Sequence, residues 1–309
     1  MPPALTKSVS RRGNSVICMG KIIVMTMALF MAVVIWLQSK KQGTFLVDRN
    51  VDLIFNRQTD YPVPAHYVHL CIGIPSLFES RRHTHRHNFF RFRPQLKYPV
   101  TLKFFVSNDS TDLYNDHVFD DVQVVNVQRL DTDSIMHDRL KSSTTSKVFA
   151  MFQWAIVENC THLLQQDEDS YANYLAIEYL LTTRPSKRWI MGRFRYHATV
   201  EPWFGTFFRT DVFPPYPLGM GYLLTSDICE TIVGGPIPAL VTQPEDAMVG
   251  IWIAWLNIDR IDSDLFHNRL GHGGAEPWAE GPCTENSLLI HYVNGMDWEK
   301  INDQGVLQC

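Results

Sequence analysis

Asp167-Glu168-Asp169 places three carboxylates directly after the apolar stretch His162-Leu163-Leu164-Gln165-Gln166. Like charges crowded at one strand end repel unless a cation neutralises them. Hard oxygen ligands suit Mg2+ or Mn2+, and such an ion can in turn hold a diphosphate. The same triplet also reads as a solvated acidic turn ahead of a helix, where carboxylates favour the N-terminal dipole. Charge clusters are usually solvated surface, so the triplet alone does not choose between these readings. Elsewhere, His83, His85 and His87 alternate with basic residues in what reads as a basic loop, without the Cys or acidic partners of a zinc site. Gly219-Met220-Gly221 lets backbone pass close to a ligand or strand, but it lacks the third glycine and the βαβ context of a dinucleotide fingerprint. Trp203, Phe204, Phe207 and Phe208 suit either an aromatic wall for a sugar or ordinary core packing.

The elements that must position these residues follow from hydrophobic period. Tyr67–Ile74, Thr101–Val106, Val122–Val127 and His162–Gln166 read as buried strands. Thr144–Glu158 carries Val148, Phe149, Met151, Phe152, Ala155 and Ile156 at helical spacing, and Asn173–Thr182 carries Leu175, Ile177, Leu180 and Leu181. Met248–Leu256 reads as an apolar helix opened by Pro244, Glu245 and Asp246. This alternation predicts an α/β domain on a largely parallel sheet, in which ligands sit beyond the carboxyl ends of strands.

The N-terminal stretch sets the expected compartment. Ile22–Leu37 is free of charge, and Val16–Met19 extend the run past Lys21, enough for a span with a snorkelling lysine. Lys7, Arg11, Arg12 and Lys21 precede the run, with Lys40 and Lys41 behind it, which favours a cytosolic N-terminus. A cleaved signal peptide would need a small-residue cleavage site, and Trp36-Leu37-Gln38-Ser39-Lys40 offers none. The expected organisation is a cytosolic tail (1–15), a transmembrane signal anchor (16–38), a stem (39–65) and a luminal domain (66–309). With no ER-retrieval tail in Val306-Leu307-Gln308-Cys309, residence as a single-pass type II protein of the Golgi membrane is expected. A lumen permits disulfides, but Cys71, Cys160, Cys229, Cys283 and Cys309 are odd in number. One thiol is then free or paired with another chain, and a homodimer linked through Cys309 or Cys71 is one arrangement. Asn108-Asp109-Ser110 and Asn159-Cys160-Thr161 are sequons. A net charge of −4 and a pI near 6.3 lack the basic footprint of nucleic-acid binding.

Several blocks together carry a family resemblance. Asp167-Glu168-Asp169-Ser170-Tyr171-Ala172-Asn173 resembles the Asp-x-Asp-x-Phe-x-Asn block of β1,3-galactosyltransferases and β1,3-N-acetylglucosaminyltransferases. Arg82 and Arg86 match the arginines of Arg-x-x-Ile-Arg-x-Thr-Trp, whose other residues are replaced here. Lys147 and Trp154 fall at the spacing of Asn-Leu-Thr-x-Lys-Thr and its following tryptophan. Phe213–Tyr222 resembles Tyr-Pro-Pro-Tyr-Cys-x-Gly-x-Gly-Tyr with the cysteine missing, so the family's disulfide pattern does not carry over. Glu245-Asp246-Ala247-Met248-Val249-Gly250 resembles Glu-Asp-Val-x-x-Gly. The blocks keep the family's order over about residues 67–295.

The resemblance implies a GT-A-type α/β fold and an inverting, Mn2+- or Mg2+-dependent transfer. The donor would be UDP-galactose or UDP-N-acetylglucosamine, and the product a β1,3 linkage to a glycan hydroxyl on a glycoprotein or glycolipid. It implies that Asp169 coordinates the metal, that Asp167 meets the donor ribose or the metal's outer shell, and that Glu168 assists or stands by. His291, ending the apolar Leu289-Ile290-His291, is the candidate late ligand, with a buried structural histidine as the other reading. Asp246 matches the general base, although it also reads as an ordinary helix-start acid. Arg82, Arg86 and Lys147 would face donor phosphates. Other classes compatible with parts of the pattern are a non-catalytic sugar-binding or chaperone-type accessory protein, a glycoside hydrolase built on paired carboxylates, and a membrane-tethered scaffold.

Overall fold

The computed structural model of the chain describes residues 46–47, 67–108, 120–126, 136–200, 211–236, 244–268 and 287–293. The expected anchor at 16–38, the stem apart from Leu46–Val47, and the aromatic run at 203–208 lie outside the described residues. Among the described residues no helix is long and apolar enough to cross a membrane.

The strands are β1 (Leu46–Val47), β2 (Leu70–Pro75), β3 (Val100–Ser107), β4 (Val122–Val125), β5 (His162–Gln166), β6 (Tyr171–Ala172), β7 (Trp189–Arg195), β8 (Tyr216–Thr225), β9 (Asp259–Asp262), β10 (Phe266–Asn268) and β11 (Leu289–His291). The helices are α1 (Glu79–Phe92), α2 (Met136–Val157), α3 (Tyr174–Thr183), α4 (Ser226–Val233) and α5 (Glu245–Ile253), with a single 3-10 turn at Arg93–Gln95. Eight strands form one sheet in the order β1-β9-β7-β8-β5-β2-β3-β4, and β10-β11-β6 form a small second sheet. Within the large sheet only β8 runs against its neighbours, β5 and β7; the other pairings are parallel. The fold is therefore mixed α/β with a central, largely parallel sheet, as the strand–helix alternation predicts.

Alternation along the central strands builds two cores. Ile72, Phe104, Leu164 and Leu223 face one side, where Phe89 and Phe92 of α1 and Ile177, Leu180 and Leu181 of α3 cover them. Their neighbours Cys71, Phe105, Leu163 and Leu224 face the other, under Val148, Met151 and Phe152 of α2, Ile228 of α4, and Met248 and Trp252 of α5. Both faces are dry, so every residue of β2 and β5 is buried rather than every second one, the polar His162, Gln165 and Gln166 included. Each large apolar side chain buried this way contributes about 1.5–3 kcal/mol. A Cys71–Cys160 disulfide, spanning a sequence separation of 89, ties β2 to the turn before β5. Closing a loop of that size typically contributes about 2–4 kcal/mol. Cys71 is thus paired within the chain, which corrects the expectation that it could link two copies; Cys229 is free and buried.

The expected basic loop at residues 82–89 is instead part of α1. Glu79 begins that helix, and the Arg82, His85, Arg86 and Phe89 face is buried. The alternating charges obscured the period because three of those four inward residues are polar.

Candidate active site

Strand β5 ends in a turn that leaves its ladder with β8. Asp167 N donates to Met220 O of β8 at 3.2 Å, and Ser170 N closes a turn onto Asp167 O at 3.1 Å before β6 joins the small sheet. Asp167-Glu168-Asp169 thus forms the hinge between the two sheets, beyond the carboxyl end of a central strand. Parallel pairing of β10 with β11 puts Asn268 beside His291, and β11 pairs with β6, which brings His291 to the same hinge.

Asp167, Asp169 and His291 each offer a ligand atom, all within 4.8 Å of one another. His291 Nε2 lies 2.9 Å from Asp169 Oδ1 and 3.8 Å from Asp167 Oδ2. His291 Nδ1 donates to Asn268 Oδ1 at 3.1 Å, leaving Nε2 to face the carboxylates. Burial opposes charge on the imidazole, but the contacts with Asp167 and Asp169 outweigh it and push its pKa up to about 9. Asp169 is likewise opposed by burial, yet His291 and Arg81 hold it below the ordinary value. The short approach to His291 is not a well-directed hydrogen bond: Asp169 Oδ1 is buried without a hydrogen-bond partner. A buried carboxylate oxygen left open in this way, beside a second carboxylate and an imidazole nitrogen, fits a divalent cation of the Mn2+ or Mg2+ kind.

Glu168 points the other way. Its Oε2 accepts from Ser76 Oγ (3.1 Å), Leu77 N (2.9 Å) and Phe78 N (3.3 Å), the turn that leads from β2 into α1. Burial still raises its pKa. Its main-chain oxygen accepts from His85 Nε2 at 2.9 Å. Burial pushes His85 down to about 4, so this imidazole is neutral. The same Ser76 gathers two of the expected cations: Arg82 Nη1 donates to its hydroxyl at 3.2 Å, and Lys147 Nζ to its carbonyl at 3.0 Å, both side chains fully buried. Arg86 makes a bidentate pair with Asp121 (2.8 and 2.7 Å) and lies over the Phe104 ring. Glu168, Arg82 and Lys147 therefore share one turn, apart from the Asp167–Asp169–His291 group, and Arg86 sits one helical turn further on. Of the alternating histidines, His83 is exposed and pairs with Glu79 at 3.5 Å.

The second acidic station lies where α5 begins beneath β8. Asp246 accepts from its neighbour Ala247 N at 2.8 Å and from the Gly219 amide, and burial raises its pKa. Glu245 accepts from Tyr222 Oη at 2.9 Å. Burial, then the adjacent Asp246 charge, lifts Glu245 well above the ordinary carboxylate range, and the charge of Asp167 adds to the effect. A Cβ on Gly219 would stand 3.0 Å from Glu245 Oε2, so the missing side chain is what lets both carboxylates lie against β8. Gly221 holds a φ of 149°, and a Cβ there would strike Leu289 of the small sheet at 2.4 Å. Arg195, paired in register with Tyr216, is the cation whose field favours ionised Asp246.

Residues 136–264 match the family model for Galactosyltransferase. The chain resembles the galactosyltransferase family. That match spans Lys147, the Asp167–Asp169 hinge and Asp246, whereas Arg82, Arg86 and His291 lie outside it. Among curated proteins, UDP-GalNAc:beta-1,3-N-acetylgalactosaminyltransferase 2 of Mus musculus is 24% identical over 49% of this chain and 32% of the relative. The chain thus spans about a third of that relative's length. A solved glycosyltransferase involved in the glycosylation of the major capsid of PBCV-1 superposes on 76% of this chain and 97% of its own, at 10% identity and a TM-score of 0.34. Sequence reasoning missed Asn268, Ser76, Tyr222 and Arg195. Each acts through a contact with an element distant in the chain, for which a linear pattern carries no signal.

Proposed function

We propose that the chain is a metal-dependent glycosyltransferase of GT-A type, which moves galactose or N-acetylglucosamine from its UDP donor to a glycan hydroxyl with inversion and β1,3 linkage. The observation that carries this reading is the convergence of Asp167, Asp169 and His291, with the buried oxygen of Asp169 left open, inside a chain whose matched segment also holds Asp246. Asp169 and His291 would hold Mn2+ or Mg2+, with Asp167 at its edge. When bound, the ion supplies positive charge for the diphosphate that leaves. Asp246 accepts the proton of the acceptor hydroxyl as that oxygen bonds to the anomeric carbon. The bond from that carbon to UDP breaks on the opposite face, and UDP departs with the electron pair. Gly219 N–H and Ala247 N–H fix the Asp246 carboxylate for that task. Glu168, Arg82 and Lys147 set the turn after β2 that borders the hinge, which supports a role in shaping the donor side. The N-terminal apolar run supports a type II protein of the Golgi membrane acting on glycoproteins or glycolipids.

The test is UDP release by the full-length chain in detergent against UDP-galactose, UDP-N-acetylglucosamine and, because the mouse relative's name includes it, UDP-GalNAc. Each donor is tried with Mn2+ and with EDTA. Release with one donor that needs the metal supports the reading and names the sugar. If no donor binds or turns over with Mn2+ present, the chain is an accessory protein instead.

A further inference from the structure

His291 is the last residue of β11, and the residue after it departs from ordinary backbone. Tyr292 has a φ of 58°, a left-handed conformation that residues bearing a Cβ seldom adopt and that concentrates at functional sites. Three other non-glycine residues among those described share the feature (Asn159, Arg188 and His197), but none of them adjoins a residue of the site. The turn at Tyr292 does two things at once. It folds the phenol ring back onto the imidazole, with ring centroids 3.9 Å apart and planes 28° from parallel. It also reverses the chain so that Val293 N donates to Asp169 O at 2.9 Å, while Val293 O accepts from Arg81 Nη1 at 3.3 Å. The backbone of Asp169 is thereby tied to the chain two residues beyond His291. Core packing does not account for the ring, since Tyr292 is 45% exposed.

We infer that Tyr292 is a positioning residue for the cation site: its left-handed turn and stacked ring hold the His291 imidazole against Asp169. Asn268 fixes which nitrogen faces the carboxylates, and the tyrosine ring fixes the tilt of the imidazole plane. The inference rests on the metal reading of Asp167, Asp169 and His291. It separates into a backbone part, which glycine would keep, and a ring part, which glycine would remove.

The experiment measures Mn2+ affinity of the full-length chain by titration with detection of free Mn2+ by electron paramagnetic resonance, beside thermal melts in EDTA. Tyr292→Phe is expected to bind Mn2+ within about 2-fold of the wild type. Tyr292→Gly is expected to bind on the order of 10-fold more weakly, as for other residues that orient a ligand from outside its shell. Its melt in EDTA should be no lower than wild type, because glycine accepts the backbone turn without strain. His291→Ala is the reference for a lost ligand. If Tyr292→Gly binds like wild type while His291→Ala does not, the stacked ring does not position His291, the inference fails and the metal reading stands. If Tyr292→Phe weakens binding as much as Tyr292→Gly, the hydroxyl and not the stacked ring does the work, and the inference fails. A Tyr292→Gly chain that melts lower in EDTA makes the ring a packing element and overturns it too. If wild type takes up no Mn2+, or His291→Ala takes it up equally well, the metal reading falls and this inference with it.

Discussion

At the end of β5 the carboxylates of Asp167 and Asp169 are partly exposed and face an imidazole, whereas at the start of α5 Glu245 is buried and Asp246 is held by two backbone amides. Both stations bring carboxylates together, and each resolves the repulsion differently. At the first, the His291 imidazole lies 2.9 Å from Asp169 Oδ1 and its positive charge offsets that of the two carboxylates. At the second no ion pair with Glu245 or Asp246 is present among the described residues, so burial favours the protonated forms and Arg195 offsets it for Asp246 only in part. The first arrangement suits a cation, and the second suits a proton that must come and go.

The largest effects should separate the two. Asp246→Asn is expected to lower kcat/KM for sugar transfer by roughly 10²–10⁴-fold, the usual share of a general base, while Mn2+ affinity stays at the wild-type value. Asp169→Ala should abolish metal-dependent turnover and Mn2+ binding together. Steady-state kinetics and a Mn2+ titration on the same preparations check both, and an Asp246→Asn chain that loses Mn2+ binding would erase the distinction.

The pH profile sharpens it further. As the proposed base, Asp246 would act only when ionised, and its raised pKa means it takes up a proton at a higher pH than an ordinary aspartate. Activity should therefore fall as pH drops through that raised value, placing the acidic limb of kcat/KM above that of an ordinary aspartate. Arg195→Gln removes the cation that favours the ionised form and should move the limb further up. A limb that stays put in Arg195→Gln would show that the guanidinium does not act on the base.

A smaller, equilibrium effect belongs to the first station alone. Mn2+ at 100 times its dissociation constant should stabilise the fold by about 2.7 kcal/mol if it binds only the native chain. The shift should be seen as a higher melting temperature that EDTA reverses. It should disappear in His291→Ala and persist in Asp246→Asn.

Much of the placement of the first station was legible in the sequence, because an acidic hinge at a strand end is local: a strand-like run that stops at three acids marks both strand and turn. The predicted His162–Gln166 strand coincides with β5, and the helix predicted at Asn173–Thr182 matches α3 to within a residue at each end. His291 was found from the strand it ends. Asn268, its hydrogen-bond partner, was not, because register between β10 and β11 decides that contact. The second station was legible only through the family blocks. Glu245-Asp246 looks like any acidic helix start until β8 is seen lying over it with glycine at 219. Helix α1 was missed because its inward face carries Arg82, His85 and Arg86, whose burial depends on Ser76, Glu168 and Asp121 from other elements.

The smallest predicted effect tests the second station from the side of stability. Glu245 is an acid whose folded pKa is raised, so the folded chain keeps its proton to higher pH than the unfolded chain does. Below the ordinary glutamate value both states are protonated and the residue costs nothing in charge. As pH rises past that value the unfolded chain releases its proton while the folded chain retains it, and stability declines until the folded pKa is passed. Glu245→Gln removes that decline. The amide oxygen can still accept from Tyr222 Oη, and the shape is unchanged. The variant should melt within about 3 °C of wild type at pH 7 to 8, on the higher side, with the advantage vanishing towards pH 4. A variant that is less stable at neutral pH and equal at low pH would mean that Glu245 is ionised in the fold, and that the station at α5 holds two charges.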